Sequence, residues 1–426
     1  MLTTTLRSAL PILAAAAILA GCAGSSSLPS STAPAGLNAR HLPPPGTLYS
    51  WLQPGINSTH VADNTAETKL TVGNVHKLIQ GWSFGTGAQI GNPIVTDGST
   101  AYADSGDGYL YAIDVLTGAQ RWRFRTYYGN AWATSPAISG NLIYVPCLVG
   151  GSSQQNGLCA VNRVSGALRW SYYDNCNCLP PSAIGEGPVV SGSTVVIGYY
   201  NKHVYRNYTI TALDSTTGAV LWVILAGNNT VGYGLENSTP AIDNGNIFAA
   251  DAAGVCSYQL ATGNVNWCNG PSDGGTAPAV SNGVVYVNTF SHGFYALNET
   301  TGSQIWQYAP CSGCGNGYDD PPAIAGSTVY FSGINQGYLY ALNASTGSLI
   351  FNTSGDGSSA YTDSSPSVAN GVVYVACNMG LCAYNASNGT LLGAFGAGGS
   401  TLGSPAVASG RVYTVCGYNN ACMYHL

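Results

Sequence analysis

The sequence carries very little charge. Only 7% of its 426 residues are Asp, Glu, Lys or Arg, whereas roughly 25% is typical of soluble domains. The chain therefore lacks the dense basic patch that displaces counterions from phosphates, which excludes a nucleic-acid partner. A surface with few carboxylates also has few groups whose protonation would unfold it. This suggests the hypothesis that the protein works in an acidic exterior.

Long apolar segments are lacking after the N-terminus, since no later stretch approaches the roughly 20 residues that a transmembrane helix needs. The N-terminal apolar run, Leu10 to Ala20, is also too short to span a bilayer as a helix. It follows a single Arg and ends at residues 19–22 in Leu-Ala-Gly-Cys. This ending resembles the lipobox of bacterial lipoproteins. The resemblance implies that residues 1–22 are a signal peptide and that Cys22 carries a lipid. The protein is then expected to be exported and lipid-anchored, at the periplasmic face or the cell surface; the alternative is an ordinary secretory signal.

The segment after Cys22 lacks periodicity. Residues 23–47 are rich in Ser, Pro and Ala, a composition that cannot bury a core. We expect residues 23–74 to form a flexible tether and a lead-in to the folded part.

A self-similar unit recurs eight times from about residue 90. Each unit begins with a proline and continues through alternating strands to an Asp or Asn, a Thr-Gly turn and an aromatic residue four positions after the Gly. The prolines are Pro93, Pro136, Pro188, Pro240, Pro278, Pro322, Pro366 and Pro405. The aromatic residues are Trp122, Trp170, Trp222, Trp267, Trp306 and Phe351. The Gly supplies the positive φ of a tight turn, and the repeated aromatic ring is expected to cover the joint between neighbouring sheets.

The eighth unit ends at Leu426 after its third strand. The missing fourth strand is expected from residues 76–87, where Gly81-Trp82 repeats the turn-and-Trp pattern. An exchange of this kind closes a ring and removes free sheet edges. The sequence therefore predicts an all-β fold, an eight-bladed β-propeller of four-stranded blades over residues 75–426, closed by an N-terminal strand that completes the last blade.

The repeat resembles the propeller repeat of pyrroloquinoline-quinone (PQQ) proteins. The lead-in resembles the opening of quinoprotein dehydrogenases, and the combination of repeat, eight blades and lipobox resembles the lipid-anchored propeller subunit of the outer-membrane β-barrel assembly machine. The first resemblance implies a redox enzyme and the second a scaffold. A shared fold does not choose between them.

Several features expected of a PQQ enzyme are missing. The chain has no adjacent Cys-Cys pair, no Cys-x-x-Cys-His haem site and only three Lys, whereas the three carboxylates of PQQ need several basic donors. The candidate cofactor-binding residues are Lys202, Arg206, Asp319 and Asp320, in loops predicted to share one face. We expect no cofactor and no catalytic residue; PQQ with Ca²⁺ is the alternative.

Twelve cysteines remain after Cys22, an even number that favours disulfides in an exported chain. The repeat register pairs Cys147 with Cys159, Cys256 with Cys268, Cys377 with Cys382, and Cys416 with Cys422. The remaining four, Cys176, Cys178, Cys311 and Cys314, lie in two blade-to-blade loops. They form either two local disulfides or a Cys₄ metal site, for which the CxC and CxxC spacings are suitable.

The sequence favours a non-catalytic scaffold or binding module in the cell envelope. The expected partner is an envelope protein or surface ligand, and the expected state is a monomer held to the membrane by its lipid. The alternatives are a PQQ-dependent alcohol or sugar dehydrogenase and a carbohydrate- or polymer-binding surface protein.

Overall fold

The computed structural model describes residues 50–91, 93–127, 134–149, 155–173, 187–201, 207–226, 239–251, 254–269, 276–289, 293–309, 321–333, 338–354, 364–377, 379–396 and 403–426. Within these ranges, 32 strands form eight four-stranded antiparallel sheets. The only helical element described is the short 3₁₀ turn η1, Val75–Lys77. The prediction of an all-β, eight-bladed β-propeller is confirmed.

Blades 1 to 7 use four consecutive strands each, counted from the axis outward, and blade 8 ends with β1 as its outer strand. The first strands are β2 (Val95–Thr96), β6 (Ala137–Ser139), β10 (Val189–Ser191), β14 (Ala241–Asp243), β18 (Ala279–Ser281), β22 (Ala323–Ala325), β26 (Ser367–Ala369) and β30 (Ala406–Ala408). The second strands are β3 (Thr100–Ser105), β7 (Leu142–Val149), β11 (Thr194–Asn201), β15 (Asn246–Asp251), β19 (Val284–Thr289), β23 (Thr328–Gly333), β27 (Val372–Cys377) and β31 (Arg411–Val415).

The outer half of each blade carries the repeat motif. The third strands are β4 (Tyr109–Asp114), β8 (Gln155–Asn162), β12 (Asn207–Asp214), β16 (Gly254–Gln259), β20 (Gly293–Asn298), β24 (Tyr338–Asn343), β28 (Gly380–Asn385) and β32 (Asn420–His425). The fourth, outermost strands are β5 (Gln120–Arg125), β9 (Leu168–Tyr173), β13 (Val220–Ala226), β17 (Val265–Asn269), β21 (Gln304–Tyr308), β25 (Leu349–Ser354), β29 (Leu391–Phe395) and β1 (Ile79–Gly85).

The turn between third and fourth strands is held by its Asp or Asn. In blade 6, the Asn343 side-chain oxygen accepts hydrogen bonds from the amides of Ser345 and Thr346, both at 3.0 Å. The Gly347 amide then donates to the Asn343 carbonyl at 2.8 Å, and Gly347 has a φ of +69°. The turn therefore needs both the side-chain acceptor and the glycine, as the repeat predicts.

The recurring register of Trp and Gly forms the joints between blades. The Trp306 indole N–H of blade 5 donates to the Ala344 carbonyl of blade 6 at 2.9 Å, and its ring lies against Gly347 of the same turn. Equivalent indole N–H groups donate hydrogen bonds to backbone carbonyls from Trp82, Trp122, Trp170, Trp222 and Trp267. Each ring thus needs a neighbouring residue without a side chain, which explains why the turn keeps glycine.

Replacing Gly347 with Ala is expected to cost clearly more stability than replacing Gly283 with Ala. Both glycines have positive φ, +69° and +77°, so each alanine pays about 1 kcal/mol of backbone strain. At Gly347 the new Cβ would lie 2.6 Å from the Trp306 ring, whereas at Gly283 nothing lies within 4 Å. We expect an additional loss of about 1–3 kcal/mol at Gly347 from overpacking. Urea unfolding measures the free energy of unfolding of both variants. Equal losses would contradict the claim that the Trp306 ring requires glycine at position 347.

The ring closes as predicted. Strand β1 pairs antiparallel with β32, with Trp82 opposite Met423 and Ser83 opposite Cys422. Blade 8 therefore takes its outer strand from the N-terminal side of the chain and its other three strands from the C-terminal end.

The four disulfides predicted from the register are present. In three of them a cysteine in or just after a second strand bonds to a third-strand cysteine two residues out of direct register, with 5.8 Å between Cα atoms: Cys147–Cys159, Cys377–Cys382 and Cys416–Cys422. Cys256 and Cys268 stand directly opposite each other on β16 and β17, 4.1 Å apart at Cα. Each bridge therefore connects neighbouring strands of one blade.

Candidate functional site

The axis of the propeller is occupied by the protein's own lead-in. Residues 51–64, which we call the axial circuit, pass the innermost strands of blades 1 to 8 in order. Trp51 exchanges two backbone hydrogen bonds with Thr96 of blade 1, at 2.8 and 2.7 Å. Further on, circuit carbonyls accept from the middle N–H of successive inner strands at 2.6–2.8 Å: Leu52 from Ile138, Ser58 from Ile242, Thr59 from Val280, Val61 from Ile324 and Ala62 from Val368.

Blades 3 and 8 are hydrogen-bonded by side chains of the circuit instead of by its backbone carbonyls. At blade 3, the Gln53 amide accepts from the Val190 N–H at 2.9 Å and donates to the Val190 carbonyl at 3.3 Å. At blade 8, the Asn64 amide donates to the Val407 carbonyl at 2.7 Å. An inner strand is a sheet edge, so its inward-facing backbone groups need partners when buried. The circuit supplies such a partner to every blade.

The circuit needs a tightly curved backbone. Gly55, Ile56, His60 and Ala62 all have positive φ, between +50° and +73°. At Gly55 a Cβ would lie 2.6 Å from the His60 Cα, so the close approach requires glycine. Residues 50–74, assigned above to the tether and lead-in, thus include a segment that packs within the ring of blades.

The ionisable groups of the circuit are shifted by burial. His60 is fully buried, its Nδ1 lies 3.2 Å from the Pro278 carbonyl, and its Nε2 has no partner among the described residues. Burial lowers the pKa of His60 to about 4, because desolvation penalises the charged imidazolium. Burial also raises the pKa of Asp63 to about 6. At neutral pH the circuit therefore offers no cation to an anionic ligand.

After the circuit, the chain crosses the hairpin turns that join first and second strands. The Glu67 carboxylate accepts from the Gly410 amide of blade 8 at 2.7 Å, and the Asn370 amide of blade 7 donates to the Leu70 carbonyl at 3.0 Å. The lead-in therefore covers the turn side of blades 7 and 8 before it becomes β1.

A second buried polar group lies between blades 1 and 2. Asp104, at the end of β3, is fully buried and accepts hydrogen bonds from the Thr126 hydroxyl at 3.3 Å and the Thr134 amide at 3.2 Å. Burial is the main cause that raises the pKa of Asp104 to about 8. The hydroxyls of Tyr127 and Thr134 are buried without a partner among the described residues. Asp104 is thus mostly a neutral carboxylic acid at pH 7.

The structure does not test the site residues predicted from the sequence. Lys202, Arg206, Asp319, Asp320, Cys176, Cys178, Cys311 and Cys314, together with Cys22, lie outside the described residues. Within the described residues, no three His, Cys, Asp or Glu side chains gather as a metal-ligand set. Nor is any helix there long and apolar enough to cross a membrane.

Sequence reasoning missed Gln53, Asn64 and Asp104. The Pro-Gly-Ile-Asn stretch at residues 54–57 is typical of a turn and signalled a reversal in the lead-in. Nothing in the sequence linked the lead-in to the axis, because the backbone partners of Gln53 and Asn64 lie 137 and 343 residues away along the chain.

Comparison with known proteins identifies the family. Residues 79–308 and 294–425 match the family described as Outer membrane protein assembly factor BamB. The chain belongs to this family. Among curated proteins, this BamB-family chain is 26% identical over 344 residues to the tetrathionate hydrolase of Acidithiobacillus ferrooxidans, a match that covers 76% of the chain and 60% of the hydrolase.

Solved structures agree on the fold. The europium-containing methanol dehydrogenase aligns with a TM-score of 0.70 at 13% identity, covering 89% of this chain and 99% of the dehydrogenase. BamB from Moraxella catarrhalis aligns with a TM-score of 0.59 at 16% identity, covering 82% of this chain and all of that one. At these identities the likeness shows the propeller and leaves the activity open.

The described residues do not fit PQQ. Its three carboxylates need convergent Arg or Lys donors. The described Arg and Lys side chains lie on outer strands, beside hairpin turns or in residues 67–78, and the axial His60 is neutral. No step through PQQ is therefore derived for this chain.

Proposed function

We propose that the protein is a non-catalytic scaffold or binding module of the cell envelope. The observation that carries this proposal is the axial circuit, whose main-chain and side-chain groups bind the inner strands of all eight blades. A ring tied together at its centre is a rigid platform, and its axis is filled by peptide. Rigid elements of this kind present binding residues in fixed positions.

Family membership supports the same proposal, because the family is described as an outer membrane protein assembly factor. In this proposal the chain is exported, anchored through a lipid on Cys22 and monomeric until it meets an envelope partner. The intrablade disulfides suit an oxidising compartment.

A second candidate is hydrolysis of tetrathionate or a related sulfur compound. It is favoured by the match to tetrathionate hydrolase over 76% of this chain. Asp104 would then be a neutral acid able to donate a proton, as catalytic carboxylic acids with raised pKa values do.

One preparation tests these proposals together. The chain from residue 23 onward, made under oxidising conditions, is titrated with PQQ and Ca²⁺ and assayed for dye-linked alcohol and aldehyde oxidation and for loss of tetrathionate. We expect no saturable PQQ binding at micromolar concentration and no turnover. Full-length lipoprotein solubilised from envelopes is expected to elute as a complex larger than its monomer, whereas a Cys22→Ser variant purified alone elutes as the monomer.

Turnover of an alcohol or aldehyde with bound PQQ would replace the scaffold by the dehydrogenase. Consumption of tetrathionate that Asp104→Asn abolishes would replace it by the hydrolase. A solubilised lipoprotein that elutes only as a monomer would contradict the assembly role.

A further inference from the structure

The outer strand of blade 1 concentrates positive charge in a chain that has very little. Arg121, Arg123 and Arg125 alternate along β5 and so lie on one face of the blade. They are three of only 12 Lys and Arg residues in a chain of net charge −6. Arg123 and Arg125 are exposed. Strand β5 is also the outermost strand of its sheet, and no further strand pairs with it among the described residues.

Two of these guanidinium groups are held in place by one aromatic ring. The Arg123 and Arg125 Cζ atoms lie 4.4 and 4.6 Å from the centroid of the Tyr109 ring, within cation–π range. Arg121 instead forms an ion pair with Asp114 at 2.7 Å. Because Tyr109 orients Arg123 and Arg125 in advance, a partner carboxylate would bind them at a lower entropic cost.

The residues at equivalent positions on the outer strands of other blades suggest that the arginines of blade 1 have a specific role. The residues on either side of the repeat aromatic are Arg121 and Arg123 in blade 1 and Arg169 and Ser171 in blade 2, but Leu221 and Val223 in blade 3 and Ile350 and Asn352 in blade 6. Blade 1 is thus the one of these four with arginine on both sides. Edge charge is a common protection against sheet-to-sheet aggregation, and the sequence alone favours that interpretation. However, the exposed aliphatic edge of blade 3, where Leu221 is 51% and Val223 49% exposed, would need protection most and lacks charge. Protection alone therefore does not explain why the arginines are on blade 1.

We propose that strand β5 docks an extended acidic segment of a partner protein by strand addition. This inference rests on the proposed scaffold function and names the partner's chemistry. In an added strand, alternate residues face the same side, so Asp or Glu at positions i and i+2 would meet Arg123 and Arg125. Guanidinium groups bind carboxylates through paired, charge-assisted hydrogen bonds. The backbone edge supplies affinity, and the arginines select this edge among eight.

The test uses peptides of defined charge pattern. Labelled (Glu-Val)₄ and (Lys-Val)₄ peptides are titrated against the chain from residue 23 onward, and amide hydrogen exchange is measured on β5 and β13. We expect (Glu-Val)₄ to bind with salt-sensitive affinity and to protect β5 amides. Binding is expected to fall at least tenfold in Arg123→Glu/Arg125→Glu. The control, Leu221→Glu/Val223→Glu on the outer strand of blade 3, is expected to bind as the unmodified protein does.

Three results would overturn the proposal: equal binding of both peptides, protection of β13 with or without protection of β5, or binding that the arginine variant retains. Arg123→Gln/Arg125→Gln, compared by thermal unfolding, separates lost charge from lost folding. Binding to phosphatidylglycerol vesicles but not to (Glu-Val)₄ would assign the arginines to a membrane surface and also overturn it. None of these outcomes requires PQQ or tetrathionate turnover, so a failure here is distinct from a failure of the scaffold function.

Discussion

An Asp104→Asn variant is expected to be more stable than the unmodified protein at pH 8 and about equally stable near pH 4. The carboxyl of Asp104 is fully buried, and its pKa is raised from 3.8 to about 8. Asn keeps an oxygen that can accept from the Thr134 amide and carries no charge to desolvate. The gain at pH 8 should be on the order of 5 kcal/mol, because each unit of pKa shift corresponds to about 1.4 kcal/mol and Asp104 is half ionised in the folded protein at that pH.

The sign follows from which state releases its proton first. Below pH 3.8 both the folded and the unfolded protein keep Asp104 protonated, so burying this group costs no free energy of ionisation and the stability is at its highest value with respect to Asp104. As pH rises toward 8, the unfolded chain ionises while the folded chain holds its proton, and stability is lost. His60 titrates in the opposite sense, between 4 and 6.5, and Asp63 in the same sense up to about 6. Between pH 6.5 and 8, Asp104 therefore dominates these three contributions.

Urea unfolding at several pH values between 4 and 9 measures the effect. Asp214→Asn is the control, since that exposed carboxylate has its pKa lowered by hydrogen bonds from Thr217. It should show no gain that grows with pH. An Asp104→Asn variant whose stability falls between pH 6.5 and 8 as steeply as that of the unmodified protein would contradict the assignment.

Much of the fold could be predicted because every repeat uses the same residues for the same structural purpose. A proline heads each inner strand, and the Trp register marks each joint; even the exchange of β1 into blade 8 follows from Trp82. The register departs from this pattern in blade 7, where Gly393 stands at the aromatic position. There the Phe395 ring from two residues later occupies the space beside Gly393, so the joint is filled by a residue that the motif does not mark.

The candidate sites were harder to predict because they depend on distant backbone. Gln53 is an ordinary polar residue in the sequence, and only the ring brings Val190 beside it. Asp104 likewise resembles a solvated strand-end carboxylate until Thr126 and Thr134 enclose it between two blades. The four register-predicted disulfides could be found, because their partners lie within one blade and 5 to 12 residues apart.

Removal of the axial circuit is expected to have the largest effect on stability. A chain that starts at residue 50 should unfold like the chain that starts at residue 23, because the Ser-, Pro- and Ala-rich composition of residues 23–47 predicts no buried core. A chain that starts at residue 66 loses the partners of all eight inner strands. Since each buried hydrogen bond contributes about 1 kcal/mol, we expect a loss of about 5 kcal/mol or more and a Tm lower by roughly 7 °C or more.

A point substitution tests the circuit if the shorter chain does not fold. Gln53→Leu removes both bonds to Val190 and leaves a buried N–H and carbonyl without partners, at a cost of about 2–4 kcal/mol. Asn57→Ala is the matched control, because Asn57 is exposed and bonds only within the circuit, to Thr59. Hydrogen exchange should quicken at the Val190 amide in the first variant but not in the second. If Gln53→Leu unfolds like Asn57→Ala, the circuit merely lies in the axis and does not hold the blades together.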